Sequence, residues 1–191
     1  AEGVATNTIV VVMGDHGWHL GDDVMWRKRT NFEQANRSPL IISAPWMENP
    51  GMRTTAPTEF VDLYPTLCEL AGLPLPELQL GSHPDPVPLE GVSLVPLMNG
   101  DVPTVRTVAL SQFTRGDKTG YSLRSRRYRY TAWIETNYDD PWSQTILDEE
   151  LYDYKKDPME KRSVVDDPEY ADIHAEFMKL FRRSEEHTSE L

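Results

Sequence analysis

The pattern of apolar positions in the first part of the chain predicts two strands separated by a long polar loop. Residues 8–14 (TIVVVMG) are continuously apolar and β-branched and end in glycine, which predicts a fully buried strand of a parallel sheet. Residues 38–45 (SPLIISAP) predict a second, shorter strand bounded by prolines. The loop between them is rich in glycine, tryptophan and charged residues. Polar residues that follow a strand of an α/β sheet commonly line a ligand site.

The next two segments have the sequence patterns of helices. Residues 58–74 (TEFVDLYPTLCELAGLP) carry apolar residues at positions 60, 63, 67 and 70, and glycine then proline close the pattern. Cys68 falls inside this predicted helix, where a small buried hydrophobic residue is expected. Residues 90–100 (EGVSLVPLMNG) predict a short helix that Asn99 and Gly100 close.

After residue 106 the sequence pattern changes from that of helices to that of strands. Residues 107–114, 120–127 and 128–135 are three short segments of strand-forming residues, which predict an antiparallel meander. Residues 168–183 (PEYADIHAEFMKLFRR) then predict an amphipathic helix. We therefore predict an α/β portion over residues 1–105 and an α+β subdomain over residues 106–183. Residues 184–191 abandon the helical period, and we expect them to be a non-native tail.

Composition narrows the possible functions. The formal charge of −12 argues against nucleic acid as a partner, although local lysines and arginines can still bind an anionic substrate. No run approaches the roughly 18 apolar residues that a membrane span requires. The single cysteine excludes an intrachain disulfide. The chain begins without methionine and enters a strand within a few residues, so we expect its start to be truncated.

Asp15 and His16 are the first candidates for chemistry because they leave the predicted strand together. A carboxylate and an imidazole are costly to desolvate unless they are paired or bound to a metal ion. Gly14 and Gly17 let the backbone turn sharply beside them and approach a ligand closely. Two structural alternatives stay open for this short motif: a helix N-cap aspartate beside a surface histidine, or a buried Asp–His hydrogen bond.

Lys28 is the second candidate. It lies thirteen positions after Asp15, in the basic run Arg27-Lys28-Arg29, with Trp18 and Trp26 in the intervening loop. A cation that returns towards a metal site suits a sulfate or phosphate ester, because metal ion and ammonium can hold one anionic group together. The alternative is a solvated basic corner, which is the usual state of such charge runs.

Residues 13–42 (MGDHGWHLGDDVMWRKRTNFEQANRSPLII) resemble the C-terminal metal-ligand segment of type I sulfatases in the alkaline phosphatase superfamily, above all the iduronate-2-sulfatase-like branch. Five later stretches follow in the order of that family: EFVDLYPTLCELAGLP, LEGVSLVPLMNG, ALSQFTR, GYSLRSRRYRYTAW and ELYDYKKDPMEKRSV. The resemblance extends over most of residues 8–183. It implies an α/β fold that forms the C-terminal part of an alkaline-phosphatase-like sulfatase, followed by the small α+β subdomain with its antiparallel sheet.

The resemblance also implies roles for individual residues. Asp15 and His16 would ligate a divalent metal ion, calcium in this family, and Lys28 would bind the sulfate group and stabilise charge on the leaving oxygen. Trp18 and His19 would line the sugar pocket. The choice of calcium rests on the resemblance alone, because calcium prefers oxygen ligands and imidazole suits transition metals better.

The chain departs from the family pattern in two ways. Relatives commonly have G-E-H/R-G-x-W where this chain has GDDVMW, so that Asp23 places an acid where a base is frequent. The motif C/S-x-P-x-R, whose cysteine or serine becomes the formylglycine nucleophile, is absent, because Cys68 stands in CELAG. The paired aspartates that complete the family's metal site are absent too. We therefore expect half an active site, with formylglycine in a part outside this chain.

The implied function of the complete protein is sulfuric ester hydrolysis, specifically removal of the 2-O-sulfate from a uronic acid of a glycosaminoglycan. We expect this chain alone to be inactive. The alternatives are a phosphodiesterase or phosphonate hydrolase of the same superfamily, and a non-catalytic binder of sulfated glycans. The resemblance implies a sulfated carbohydrate partner and a periplasmic, extracellular or lysosomal location. Five arginines could meet the sugar carboxylate: Arg115, Arg124, Arg126, Arg127 and Arg129.

Overall fold

The computed structural model describes residues 3–76, 89–136 and 145–189, with side chains up to residue 183. The chain forms two compact units: Ala1–Met13 with Pro39–Thr107, and Gly14–Ser38 with Val108–Leu191. The loop predicted to carry the site therefore belongs to the second unit. The boundary predicted between the α/β portion (residues 1–105) and the α+β subdomain (residues 106–183) stays a prediction.

The described secondary structure begins with a 3-10 turn at Val4–Asn7. The strands and helices are, in chain order, β1 (Val10–Met13), β2 (His19–Leu20), β3 (Trp26–Arg27), α1 (Glu33–Asn36), β4 (Leu40–Ser43), α2 (Leu63–Leu70), α3 (Val95–Asn99), β5 (Ala109–Arg115), β6 (Lys118–Arg124), β7 (Tyr128–Glu135), β8 (Ile146–Asp153) and α4 (Ala171–Ser189). Further 3-10 turns lie at Asp22–Val24, Phe60–Asp62 and Pro168–Tyr170. None of the described helices is long and apolar enough to cross a membrane.

In the first unit, β1 and β4 form a two-stranded antiparallel sheet, with Val10 opposite Ser43 and Met13 opposite Leu40. The prediction of a parallel, fully buried strand is therefore wrong for the described residues. Val10 and Val12 are about half exposed, at 50% and 53%. The continuous β-branched run correctly predicted a strand, but strand propensity does not encode the direction of the partner strand.

The predicted helix over residues 58–74 is confirmed as a 3-10 turn that continues into α2. Its start is fixed by Asp62, a fully buried carboxylate that accepts hydrogen bonds from the backbone amides of Glu59 (2.8 Å) and Val92 (2.9 Å). Arg106 donates to the same carboxylate through Nε at 3.0 Å. Cys68 is buried in α2, as predicted.

The second predicted helix is confirmed as α3. Gly100 ends it in the left-handed region, with φ of 83°, and its amide donates to the Leu97 carbonyl at 3.2 Å. Glycine adopts this conformation without a steric penalty, which is why the Asn-Gly pair marks the end of the helix.

In the second unit, β5 to β8 form one antiparallel sheet in sequential order. The three predicted strands are confirmed, and β8 is an additional strand. The predicted amphipathic helix is confirmed as α4, which packs against one face of the sheet. The buried core at this face consists of Tyr121, Leu123, Tyr130, Ala132, Ile134, Leu151, Tyr170, Phe177 and Phe181. The Tyr130 and Phe177 rings stack with their centroids 6.0 Å apart.

The opposite face of this sheet meets the segment 14–38 of the same unit. Side chains alternate between the two faces of a strand, and both faces of β6 and β7 are largely buried. Asn31 donates through Nδ2 to the Gly120 carbonyl at 2.9 Å, and Phe32 packs edge-on against Tyr152. A Cβ at Gly120 would lie 2.9 Å from the Trp133 ring, so this close approach requires glycine. The sheet therefore supports the loop that carries the candidate site.

Helix α4 continues through residue 189, into the segment predicted to be a non-native tail. Residues 190 and 191 lie outside the described residues, as do the side chains from 184 onward. The origin of this tail stays a prediction.

Candidate active site

Asp15 and His16 form a turn directly after β1. The Asp15 carboxylate is 83% exposed and its Oδ2 lies 3.3 Å from His16 Nε2, while the His16 side chain is 25% exposed. Neither structural alternative describes this turn. No helix among the described residues begins at Asp15, and the exposed carboxylate is not half of a buried pair.

The ring orientation of His16 suits a metal ligand. His16 Nδ1 lies 2.7 Å from the Gly17 carbonyl oxygen, which can accept the Nδ1 proton and leave the Nε2 lone pair available. The lone pairs of His16 Nε2 and Asp15 Oδ2 are then close enough to bind the same cation.

Gly17 holds this turn against helix α1. Its amide donates to the Ala35 carbonyl at 2.7 Å. A Cβ at position 17 would overlap the Gln34 carbonyl oxygen and lie 2.8 Å from that of Arg37. The glycine of the Asp-His-Gly motif is therefore needed for close packing on α1, which fixes the backbone beside the two candidate ligands.

The loop continues as a two-stranded hairpin of β2 and β3, in which His19 lies opposite Arg27. His19 is fully buried, and its Nε2 lies 2.8 Å from Thr30 Oγ1. Its Nδ1 has no hydrogen-bond partner among the described residues. Trp18 is half exposed, with its ring centroid 5.9 Å from that of His16. Trp18 thus lies beside the candidate ligands, whereas His19 is in contact with the interior of the unit. Their roles in a sugar pocket stay a prediction.

Lys28 is exposed, as are Arg27 and Arg29 on either side of it. Its backbone carbonyl accepts a hydrogen bond from the Thr30 amide at 2.9 Å. No hydrogen bond or ion pair joins the Lys28 ammonium to Asp15 or to any other acid in the described part of the chain. The side chain is therefore a solvated cation, open to an anionic ligand, and its role in sulfate binding stays a prediction.

Asp23, which the sequence placed where relatives often have a base, forms an ion pair with Lys161 of the same unit. The hydrogen bond from Lys161 to Asp23 raises the pKa of that lysine. Asp23 adopts the left-handed region at φ of 52°. Its negative charge is thus balanced within the chain by the charge of Lys161.

The described residues supply only part of a metal site. They contain no group of three or more His, Cys, Asp or Glu side chains that could hold an ion. Calcium takes six to eight oxygen ligands, whereas Asp15 and His16 offer one carboxylate and one imidazole. The pair fits two positions of a coordination sphere that needs further ligands.

Of the five arginines suggested for a sugar carboxylate, Arg124, Arg127 and Arg129 each bind an acid of the second unit. Arg124 binds Glu33 through Nε (2.8 Å) and Nη2 (3.2 Å). Arg127 binds Asp153 in the same two-bond manner, at 2.8 and 2.7 Å. Arg129 is buried and pairs with Glu160. These three cations are held by acids of the same unit, which sequence reasoning missed because their acidic partners are distant in the chain.

Comparison with known proteins identifies the family. The family profile described as "N-sulphoglucosamine sulphohydrolase, C-terminal" matches residues 14–187, which include every candidate site residue. The chain belongs to this sulfatase family. Its described strands and helices accordingly form part of an α/β fold of the alkaline-phosphatase-like type, as predicted.

Relatives of this sulfatase segment include two enzymes named for hexuronate and iduronate. A Delta 4,5-hexuronate-2-O-sulfatase of Bacteroides thetaiotaomicron is 33% identical over 91% of the chain and 34% of its own length. Iduronate 2-sulfatase of Mus musculus is 28% identical over 89% of the chain and 40% of its own length. The chain thus spans between about a third and two fifths of these relatives.

Other similarities show how widely this fold is used. A solved structure of a 2-O GAG sulfatase is 30% identical and superimposes with a TM-score of 0.73, covering 97% of this chain and 38% of the other. A phosphonate monoester hydrolase of Agrobacterium radiobacter is 26% identical with the same TM-score, over 96% of this chain and 36% of the other. An N-acetylglucosamine-6-O-sulfatase of Bacteroides thetaiotaomicron is 28% identical over 96% of the chain and 31% of its own length. Family membership therefore does not by itself define the substrate.

Proposed function

We propose that the complete protein is a sulfuric ester hydrolase that removes the 2-O-sulfate of a hexuronate in a glycosaminoglycan. The observation that carries the proposal is the match of the sulfatase profile over residues 14–187, a range that holds Asp15, His16 and Lys28. The hexuronate is supported by the similarity to the hexuronate-2-O-sulfatase and to iduronate 2-sulfatase.

Asp15 and His16 would hold two positions around a divalent cation, with calcium the expected ion. When bound, such a cation supplies positive charge beside a sulfate oxygen. Lys28 would contribute a second, fixed positive charge to the sulfate group and stabilise the negative charge that develops on the leaving oxygen. The half-exposed Trp18 ring beside His16 would offer an apolar face to the sugar.

The test is a competition assay with the complete protein carrying its formylglycine. The substrates are a 2-O-sulfated uronate disaccharide, a 6-O-sulfated hexosamine and an aryl sulfate. We expect the highest kcat/KM on the uronate. A higher value on the hexosamine would overturn the uronate assignment alone, and turnover of none of the three would overturn the sulfatase proposal.

A second candidate is hydrolysis of phosphonate monoesters or phosphodiesters. It is supported by the structural similarity to the phosphonate monoester hydrolase, and one cation pair can hold a sulfate or a phosphoryl group. Adding a phosphonate monoester to the same competition separates the two activities. The presence or absence of C/S-x-P-x-R upstream of this segment gives an independent indication. A protein that binds sulfated glycans without turnover would instead be the non-catalytic relative.

A further inference from the structure

A buried ionic cluster lies on the face of the sheet that supports the candidate site. Arg129 of β7 is only 2% exposed and pairs with Glu160, and its Nη1 donates to Thr131 Oγ1 at 2.7 Å. The guanidinium lies 4.7 Å from the ring centroids of both Phe32 and Tyr152. Burial is the largest single influence on the pKa of Arg129 and lowers it, but Glu160, Tyr154 and Glu150 together outweigh burial, so the net shift is upward. A buried ion pair of this kind is retained at a desolvation cost and is a weak source of stability.

Glu160 is the centre of this cluster. Its carboxylate accepts hydrogen bonds from three donors: the Arg129 guanidinium, the Tyr154 hydroxyl at 2.6 Å and the backbone amide of Glu33 at 2.8 Å. Its own backbone lies in the left-handed region, with φ of 55°. A non-glycine residue there costs on the order of 1–3 kcal/mol, and such positions occur where the surrounding structure over-determines them.

Glu33, whose amide binds Glu160, is the first residue of helix α1. Its side chain makes a second contact. Arg124 makes the two-bond ion pair with the Glu33 carboxylate, and the Arg124 guanidinium lies 3.8 Å from the Tyr154 ring centroid. The first residue of α1 is thus held by Glu160 through its amide and by Arg124 of β6 through its carboxylate. Two-bond arginine–carboxylate pairs define orientation as well as distance.

The turn that carries Asp15 and His16 packs against helix α1. The Ala35 carbonyl accepts from the Gly17 amide, and the close packing at Gly17 leaves no room for a side chain. His16 immediately precedes Gly17 and lies 2.7 Å from its carbonyl through Nδ1. Two hydrogen bonds, one to the Glu33 amide and one to the Ala35 carbonyl, together with the backbone of α1 between them, therefore connect Glu160 with the turn that carries His16.

We propose that Glu160 is a positioning residue of the active site, which fixes α1 and, through Gly17, the turn that carries Asp15 and His16. Glu160 is buried and binds protein groups, so it acts through other residues and is not itself a catalytic residue. The effect on turnover rests on the proposed function, in which Asp15 and His16 are metal ligands. The effect on the conformation of residues 14–38 does not depend on that function.

The test compares Glu160→Ala with Asp153→Ala in the complete protein. Asp153 is a matched control, because it is also buried and accepts from an arginine, a tyrosine hydroxyl (Tyr170, 3.1 Å) and a backbone amide (Lys155, 3.0 Å). None of these partners lies in residues 14–38. Both truncations remove a buried carboxylate from an arginine, which is buried for Glu160 (Arg129) and partly exposed for Asp153 (Arg127, 44%), so both are expected to lower stability.

Only Glu160→Ala should loosen the site. We expect faster hydrogen exchange in residues 14–38, weaker calcium binding by calorimetry, and a loss of kcat/KM on the order of 10²-fold, carried mainly by kcat, because small misplacements of reacting groups have effects of this size. Asp153→Ala should leave the exchange of residues 14–38 and the kinetic constants near their wild-type values. If Glu160→Ala does not fold, Glu160→Gln retains one acceptor and should show the same changes at smaller amplitude.

Equal losses of kcat in the two variants, in proportion to their losses of stability, would overturn the proposal. Unchanged exchange in residues 14–38 of Glu160→Ala or Glu160→Gln would overturn it as well. If the wild-type protein hydrolyses no sulfate ester while the Glu160 variant still loosens residues 14–38, the proposed function fails and the positioning contact stands.

Discussion

Lys28 is an exposed cation in a run of three, so its role depends on what it meets in the complete protein. If it holds the sulfate group, we expect Lys28→Ala in the complete enzyme to lower kcat by about two orders of magnitude or more, because a fixed charge beside the developing negative charge is lost. Lys28→Arg should restore activity only in part, since a planar guanidinium differs from an ammonium in reach and shape. Steady-state kinetics on the preferred sulfate ester measures both effects.

Arg29→Ala is the matched control for Lys28, because Arg29 is also exposed and is its neighbour in the same basic run. We expect it to change kcat little and to affect mainly the dependence of KM on salt, as an exposed charge does. Similar kinetics for the two alanine variants would show that Lys28 belongs to a solvated basic corner.

At the scale of the element, the turn after β1 depends on its close packing against α1. We expect Gly17→Ala to force the turn away from the Gln34 and Arg37 carbonyls, at a cost of about 1–3 kcal/mol in stability. In the complete protein this shift should weaken metal affinity by about 10- to 100-fold, the range seen when groups that orient a ligand are changed. Calcium titration calorimetry gives the affinity, and thermal unfolding gives the stability.

Gly116→Ala separates this effect from a general penalty for replacing glycine. Gly116 lies in the turn between β5 and β6 with φ of 66°, and nothing lies within 4 Å of its hypothetical Cβ. We expect it to lower stability by about 1 kcal/mol through its left-handed backbone alone and to leave metal affinity unchanged. A Gly17→Ala variant that behaved in the same way would contradict the role of close packing on α1.

The elements that sequence reasoning located correctly are those with a local signal. α2 and α4 show helical spacing, and β5 to β7 show clusters of strand-forming residues between turns. Strand β8 was missed because its sequence ILDEELYD is acidic, and its carboxylates find partners far away in the chain: Asp153 pairs with Arg127, and Glu150 accepts from the Trp133 indole. No local pattern encodes such pairs.

Some parts of the candidate site could likewise be recognised from the sequence, and others could not. Asp15, His16 and Lys28 are recognisable because they share one short segment, and the structure places Asp15 beside His16. The support from Glu160 was not recognised, because Glu160 lies 127 residues after the Glu33 amide that it binds. Likewise, burial of His19 follows from its bond to Thr30 and its contact with Phe32, which only the folded loop creates.

At the scale of the whole molecule, the second unit should lose stability in acid through Asp153. The two hydrogen bonds from Arg127 hold the pKa of that carboxyl at about 2, below its ordinary value of 3.8. A depressed folded-state pKa gives stability that is fully present above about pH 4 and is lost as the pH falls through about 2. The shift corresponds to on the order of 2 kcal/mol.

We therefore expect Asp153→Asn to destabilise β7 and β8 most at neutral pH, with a difference from wild type that shrinks steadily below about pH 4. Hydrogen-exchange protection of these strands in the complete protein, corrected for intrinsic exchange and measured from pH 6 to pH 3, reports that difference. A difference that stayed constant over this range would show that the Arg127–Asp153 pair does not control the acid sensitivity of the unit.

The 191-residue chain taken alone should bind calcium weakly and hydrolyse no sulfate ester. Its described residues offer Asp15 and His16 but no larger group of metal-binding side chains, which leaves calcium well short of six to eight oxygen ligands. Cys68 cannot replace the missing nucleophile, because it is buried in α2 and stands in CELAG instead of C/S-x-P-x-R. Calorimetry with calcium should give a far weaker affinity for the chain than for the complete protein, and an aryl sulfate assay should give no turnover. Measurable turnover by the purified chain would require a nucleophile that the sulfatase proposal does not contain.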